Sequence, residues 1–521
     1  MEDDEHEERS LAIEMPTTDS TVNSSDPIKQ NPLCLMTRVR SVTSTIKLVL
    51  KLGSGFFADA YDLFVIDIVL SILKEQSLVD KSGIGYSRSA AGVIASATSV
   101  GAVAGMIIFG LIGDNIGRKV GVLTTGSLVA IGSLLSASCV RSDSMSLMNQ
   151  LALYRALLGF GIGGEYPLSA SMASEGSGDL KKSTRLVAGV FSMQGVGMLF
   201  SSLLGYILLT AGCSLEFTWR FLLAFGAVPA IISLYLRMNM TFKPTAQVEI
   251  ADTVTKTTLK EKVSSVISII GQYKLLLIGT MLSWFLLDIT FYGTGEFKHS
   301  VSSQLFPNKT GSPREKVIDD ALFGVIISSI ALPGYVCSFL FINAIGKWNL
   351  QFFGFLAMTI AYIIMAALLT AGGGSSGANL FVFGLTFFFT NFGPNASTFI
   401  IPSELYPSSI KATCHGISAA AGKIGAIVGA ASFPQAIHAV GLNGVMFLCA
   451  GIAIAGALTT YVFLPKNVID PIDLVPEALS IEENKKGTST SADIDAPTPV
   501  TTVIGLTTIG LTASFFVGAM S

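Results

Sequence analysis

The sequence predicts an all-α membrane protein built as two pseudo-symmetric six-helix bundles, and three observations carry that prediction. Of its 521 residues, 50% are hydrophobic and 13% are charged, and mean hydropathy is +0.62, whereas soluble domains run at about 25% charged. Apolar runs of roughly twenty residues, enough to cross a hydrocarbon layer about 30 Å thick, recur along the chain and resolve into twelve spans. Two acids, Asp59 and Asp288, sit inside apolar runs in similar local sequence; from 59 to 288 is a separation of 229 residues, and that offset recurs. It carries Gly117-Arg118 onto Gly346-Lys347, Asp114 onto Asn343, Tyr166 onto Asn395, Ser174-Glu175 onto Ser403-Glu404 and Gln194 onto Lys423. Constant register across that many spans implies parallel repeats related by an axis along the membrane normal.

In order, the first six spans fall at 44–73, 88–112, 119–140, 147–174, 185–211 and 219–240. The second six fall at 273–299, 319–343, 349–371, 378–402, 412–438 and 441–464. Residues 1–43 precede them as a polar tail, acidic over 1–30, with no signal-like apolar core, expected to be disordered and cytoplasmic. The Thr- and Lys-rich stretch 241–272 links a bundle at 44–240 to a second at 273–465. A polar tail rich in Pro, Ser and Thr is expected over 466–499, followed by an apolar segment at 500–521 that fits a thirteenth span or an interfacial helix. With the N-terminus inside, cytoplasmic segments hold about 21 Lys and Arg and the outer loops about 9, as the positive-inside rule requires. Arg118-Lys119, Lys181-Lys182-Arg185 and the loop 237–274 carry most of that bias. Fifty-two glycines fit close helix packing. The six cysteines show no metal spacing and read as packing residues, so neither metal nor cofactor is expected. Asn308-Lys309-Thr310 is a glycosylation sequon in the outer loop between spans 7 and 8.

An ionisable side chain in a span costs a few kcal/mol or more and marks a proton or substrate pathway. Span 1 holds Asp59 and Asp62 in Gly55-Phe56-Phe57-Ala58-Asp59-Ala60-Tyr61-Asp62. Between spans 2 and 3 lies Gly113-Asp114-Asn115-Ile116-Gly117-Arg118-Lys119. Its glycines permit a tight turn, and its Asp and Arg can pair with helix ends or with each other to hold one conformer. This segment resembles the loop motif of the major facilitator superfamily, which implies gating by Gly113, Asp114, Gly117 and Arg118. Span 4 holds Arg155, Glu165 and Tyr166, with Arg155 and Tyr166 eleven residues apart and so on one face, about 20° from alignment. In span 7, Trp284, Asp288 and Tyr292 stand at i, i+4 and i+8, a stripe of indole, carboxyl and phenol.

Gly163-Gly164-Glu165-Tyr166-Pro167-Leu168-Ser169-Ala170 is similar to the signature of the plant and fungal inorganic phosphate:proton symporters. So are the span-1 run through Phe64, Ser283-Trp284-Phe285-Leu286-Leu287-Asp288, Asn391-Phe392-Gly393-Pro394-Asn395 and His415-Gly416-Ile417-Ser418-Ala419-Ala420-Ala421-Gly422-Lys423. The resemblance covers about 40–465. It implies phosphate held between the halves by Tyr166, Gln194, Trp284, Asp288, Tyr292 and Asn395, with Asp59 as the span-1 acid and Lys423 as the span-11 lysine. It also implies a multi-pass protein of the plasma membrane. Two departures stand out: the acid before the span-4 Tyr, usually Asp, is Glu165, as in the glycerophosphodiester permeases, and the family's Pro-Glu-Thr segment after span 6 is absent from Met238–Pro244.

An anion and an ionised Asp288 repel one another in a low-dielectric cavity. The conflict ends if Asp288 is protonated when phosphate binds, so an acid in an anion site makes proton coupling a chemical consequence. Lys423 then supplies positive field, and Asp59, Asp62, Arg155 and Glu165 are the expected proton-handling groups beside Asp288. The sequence therefore points to a symporter whose partners are phosphate, protons and the lipid bilayer, with no nucleic acid and no enzyme chemistry. A glycerophosphodiester or other organic-anion carrier, and a phosphate sensor with little transport, are the alternatives.

Overall fold

The structure is a computed structural model and describes residues 32–79, 84–142, 144–175, 179–238, 270–305, 311–372 and 375–466. Most of the expected linker, the N-tail before 32, the sequon and both C-terminal segments beyond Lys466 lie outside the described residues. The described helices are α1 (Pro32–Val79), α2 (Arg88–Asn115), α3 (Arg118–Ala137), α4 (Leu147–Glu175), α5 (Leu180–Thr210), α6 (Leu215–Phe225) and α7 (Ala227–Met238) in the first half. The second half has α8 (Lys274–Gly295), α9 (Lys298–Leu305), α10 (Pro313–Ile345), α11 (Lys347–Thr370), α12 (Ser376–Asn391), α13 (Pro394–Leu405) and α14 (Lys411–Phe463).

Eight segments, counting α6 and α7 as one, are long and apolar enough to cross a membrane on composition alone. Other crossings carry the chemistry. α1 and α4 hold the buried Asp59, Asp62, Asp67, Arg155 and Glu165, and α12 and α13 form one crossing broken at Phe392-Gly393. α14 is two crossings, because Gly441 interrupts it at φ +72°. Among the described residues this makes the twelve spans that the sequence predicts. α1 starts at Pro32, ahead of the expected 44, with proline at the helical position where its missing N–H costs nothing. Ser87, Asp179 and Ser312 cap α2, α5 and α10 with their side chains. Large apolar side chains such as Ile131, Phe353 and Ile360 are exposed along the helices, as a lipid-facing surface requires.

The repeat is visible in the backbone. Gly117 and Gly346 are 229 apart and both have positive φ, and so do Gly212 and Gly441. Each pair turns the chain between equivalent helices in a conformation that only glycine adopts freely. The repeat also extends to ion pairs: Arg118 meets Glu175 at 2.7 Å, and Lys347 meets Glu404, each partner shifted by 229.

The halves meet along α2 against α14 and α5 against α10. Close approach is set by small residues: a Cβ on Gly416 would lie 2.2 Å from the Met106 carbonyl oxygen. At the end carrying the loop between α2 and α3, Asp114 crosses the interface. It accepts from the backbone N–H of Ala412 (3.2 Å) and from the N–H and hydroxyl of Thr413 (both 2.7 Å). Its repeat partner Asn343 crosses in the opposite sense and donates to the Lys181 carbonyl at 2.9 Å. At the other end, Arg314 donates to the carbonyls of Cys213 and Leu209, and Ser71 to Asp320. The two halves are thus tied together at both ends.

Candidate functional site

Midway between those ties, α4, α8 and α14 bring Tyr166, Trp284, Asp288, Tyr292 and Lys423 together. Lys423 Nζ lies 3.8 Å from Asp288 Oδ2 and donates to the Tyr292 hydroxyl. The same ammonium lies 3.8 Å from the centre of the Tyr292 ring and 5.1 Å from that of Tyr166. Both tyrosine rings face that ammonium, and the Trp284 ring lies 6.2 Å from the Tyr166 ring, centre to centre. The helical spacing of the span-7 stripe accounts for this, since residues four apart share a face. All five side chains are at most 3% exposed, so the charge pair is out of water.

Asn395 and Gln194 stand beside this group. Asn395 is the second residue of α13, just after the break at Gly393, and its Nδ2 donates to Asn391 Oδ1 (2.8 Å) and to the Tyr335 hydroxyl (3.1 Å). A broken helix at membrane depth is a recurring way to expose backbone and side-chain groups to a substrate. Gln194 is buried on α5, and its Oε1 has no hydrogen-bond partner among the described residues. Its neighbour Gly195 packs α5 against the Tyr335 ring, where a Cβ would come within 2.4 Å. An aromatic wall closes the layer: Phe399 lies 4.9 Å from Phe56, 4.8 Å from Phe191 and 6.1 Å from Tyr166, ring centre to ring centre.

The residues expected to handle protons divide into two groups. Asp59 and Glu165 line one small cavity together with Gly55, Ser233 and Arg237. Glu165 is paired with Arg237 and accepts from Ser169 at 2.6 Å. Asp62 and Arg155 lie apart from them. Ser133 donates to the Asp62 carboxylate at 3.0 Å, whereas Arg155 donates to the Asp62 backbone carbonyl at 2.6 Å. Arg155 and Tyr166 do share a face of α4, but eleven residues of helix separate them by about 16 Å, so they do not share a site. The loop residues behave as expected: Arg118 bonds Asp114 at 3.1 Å, Gly117 makes the turn, and a Cβ on Gly113 would meet Leu168 at 2.8 Å.

Arg237 requires a correction. The sequence reading counted it with the loop 237–274, but it is 2% exposed and points inward. It also donates to the Leu52 carbonyl, and there is room for it only because Gly55 has no side chain: a Cβ there would lie 2.5 Å from the guanidinium and 2.2 Å from Glu165. The extra methylene of Glu165 is used here, in reaching Arg237. Tyr335 and Phe399 were also missed, and a lone Tyr or Phe in an apolar run carries no signal. Glu296 was missed as well, although the repeat marks it: it lies 229 after Asp67.

The chain matches the family model described as "Sugar (and other) transporter" over residues 47–479. It is 34% identical to a probable inorganic phosphate transporter 1-3 of Oryza sativa subsp. japonica, covering 83% of this chain and 93% of that one. To a probable inorganic phosphate transporter 1-6 of Arabidopsis thaliana it is also 34% identical, over 80% and 90% of the two chains. To a low affinity inorganic phosphate transporter 1 of Petunia hybrida it is 35% identical, over 73% and 80%. Among solved structures it is similar to a proton:xylose symporter of the major facilitator superfamily, with a TM-score of 0.66 at 17% identity, over 82% of this chain and 97% of that one. At that identity the likeness speaks for the fold alone.

Proposed function

The chain belongs to the sugar (and other) transporter family of the major facilitator superfamily, and on that premise we propose that it imports inorganic phosphate together with protons by alternating access. The observation that carries this reading is the buried Lys423, held at 3.8 Å from Asp288 and against two tyrosines in the plane between the halves. A lysine, an indole N–H, phenols and amides offer the donors that a phosphate oxygen shell needs. The paired carboxylate makes the site neutral before substrate arrives. When phosphate takes Lys423 as its counter-ion, Asp288 is left without one and must carry a proton, so substrate and proton enter as a unit. The return of the empty carrier requires Asp288 to lose that proton and recover Lys423.

The ties at both ends of the interface fit an occluded stage of such a cycle, with Asp114 and Arg118 forming the closure at one end. We assign that end to the cytoplasm from the charge bias of the loops, and the protein to the plasma membrane from the resemblance of its motifs to those of the phosphate:proton symporters. Asp59, Glu165 and Arg237 read as the route by which the proton leaves, and Asp62 with Arg155 as a support on the other side of the site. That Glu165 reaches Arg237, and not the tyrosine layer, counts against reading it as a change of substrate toward phosphodiesters.

The test is uptake of labelled phosphate into proteoliposomes with and without an imposed pH gradient, with glycerophosphocholine as competitor. Gradient-stimulated uptake that glycerophosphocholine leaves intact is the expected result. Competition at equal concentration would replace phosphate by a phosphodiester as substrate, and binding without counterflow would make the protein a sensor. Retention of full pH-driven uptake by Asp288→Asn would remove the coupling step.

A further inference from the structure

One buried acid has no part in the cycle above. Glu296 follows the last turn of α8, in the break before α9, and is 1% exposed. Its Oε2 has no hydrogen-bond partner among the described residues. Charged and titratable groups of several elements lie near enough to act on it electrostatically: Lys423 of α14, Arg155 of α4, Asp67 of α1, and Asp288 and Tyr292 of its own helix. Asp67 in turn is bound to His299 of α9 at 2.7 Å from Oδ1 to Nδ1, across the interface between the halves. Lys298, between Glu296 and His299 in sequence, is fully buried, and its Nζ lies 5.6 Å from the centre of the Phe64 ring. Phe64 in turn stacks on Tyr292 with ring centres 6.1 Å apart.

The position of Glu296 is as telling as its surroundings. It stands eight residues beyond Asp288, about 12 Å further along the helix axis, on the side away from the Asp114–Arg118 closure. Asp67 stands in the same relation to Asp59, so the repeat has kept two acids two turns apart in both halves. Among the described residues Asp288 Oδ2, like Glu296 Oε2, makes no hydrogen bond, though Lys423 Nζ stands 3.8 Å from it. Tyr292 lies between them on the helix, and its hydroxyl accepts from Lys423. Two buried acids on one helix with a phenol between them in sequence, in a bilayer where such groups are expensive, are the parts of a proton path.

We propose that Glu296 is a proton station that loads Asp288 from the side of the Asp67–His299 pair. The inference rests on the proton-coupled reading of the central site and adds the way in. Protonated Glu296 gives up its proton at Oε2 to the Tyr292 hydroxyl, which releases its own proton to Asp288 Oδ2. The Glu296 carboxylate left behind is stabilised by the positive field of Arg155 until a new proton arrives past Asp67 and His299. The path from one membrane face is then His299 and Asp67, Glu296, Tyr292 and Asp288, and it meets phosphate at Lys423.

The experiment compares the wild-type full chain with Glu296→Gln and Glu296→Asp in proteoliposomes, using labelled inorganic phosphate. Counterflow at equal pH reads substrate binding and the alternation of access. Accumulation driven by an acidic exterior reads proton loading. Glu296→Gln is expected to keep counterflow within about twofold and to lose gradient-driven accumulation about 100-fold, the scale of removing a proton donor. Glu296→Asp should recover part of it. Wild-type accumulation in Glu296→Gln overturns the station and leaves the coupling reading standing. Equal loss of counterflow and accumulation also overturns it, because Glu296 then supports the fold or the motion as a whole. A wild-type protein indifferent to the gradient overturns both readings together.

Discussion

Asp59 and Asp288 stand at equivalent points of two halves that share one backbone plan, yet they keep different company. Asp288 faces Lys423, Trp284 and Tyr292 in the plane between the halves. Asp59 faces a cavity inside its own half, where Glu165 and Arg237 neutralise each other and its Oδ2 has no hydrogen-bond partner among the described residues. The difference follows from where the cation stands. Lys423 has Gln194 as its counterpart in the first half, and Arg237 has Lys466 as its counterpart in the second. The cation nearest the paired acid thus stands on the fifth span in the second half, at the substrate layer, and on the sixth in the first, away from that layer. Duplication decides where a side chain stands, and its neighbours decide what it does there.

The largest effect should come from breaking this asymmetry at Arg237. Its guanidinium is 2% exposed, with Glu165 and the Leu52 carbonyl as partners, so Arg237→Met leaves an unpaired buried carboxylate and should cost about 3–5 kcal/mol of stability. The double variant Arg237→Met/Glu165→Leu should recover most of the loss, because it removes the stranded charge. Lys466, the repeat counterpart, is exposed and lies 5.4 Å from the Trp348 ring, so Lys466→Ala should change stability by less than about 0.5 kcal/mol. Thermal unfolding in detergent measures all three. Equal costs at the two positions would mean that Arg237 is not a structural cation.

A second contrast sets Lys423 against Gln194. Truncating a buried, hydrogen-bonded charge should weaken phosphate binding about 100-fold in Lys423→Ala. Loss of a neutral partner in Gln194→Ala should weaken it about tenfold. Phosphate-dependent thermal shifts or direct binding of labelled phosphate give the two constants. A Gln194 effect as large as that of Lys423 would place the two positions on an equal footing and dissolve the proposed division between the halves.

Much of this was legible in the sequence, for reasons that can be named. The spans could be read because a bilayer demands long apolar runs, and the repeat because functional positions kept one offset through every insertion-free span. In the cluster, helical spacing put Trp284, Asp288 and Tyr292 on one face, whereas Tyr166 and Lys423 were joined to them by the resemblance to the phosphate:proton symporters. What could not be read was direction and depth. Arg237 lies next to a charged linker, and nothing local separates a buried arginine from a loop arginine; only the missing side chain at Gly55, in another helix, makes its pocket. Arg155 shows the limit of the helical face, since sharing a face with Tyr166 still left it well away along the axis. Glu296 was legible through the repeat, as the counterpart of Asp67, but it stands near the end of the span expected over 273–299, where an acid reads as one close to the membrane surface.

The smallest contrast concerns the closure. Arg118 is 4% exposed and bonds both Asp114 and Glu175, and Asp114 in turn holds the N–H groups at the start of α14. Among the described residues Lys347 pairs with Glu404 alone, it is more exposed at 19%, and Asn343 reaches the other half through one neutral hydrogen bond. The charged closure is thus stronger in the first half, so the repeat is symmetric in geometry and lopsided in energy. Arg118→Ala should slow phosphate uptake about tenfold, as expected when one hydrogen-bonded charge partner is lost, and should speed amide exchange at Ala412 and Thr413. Lys347→Ala should slow uptake no more than about twofold, on the scale of a partly exposed pair, and leave those amides protected. Should Lys347→Ala prove the slower of the two, closure would depend on α11 and the second half, and the acid lost at Asn343 would have to be compensated by contacts other than the ion pairs described.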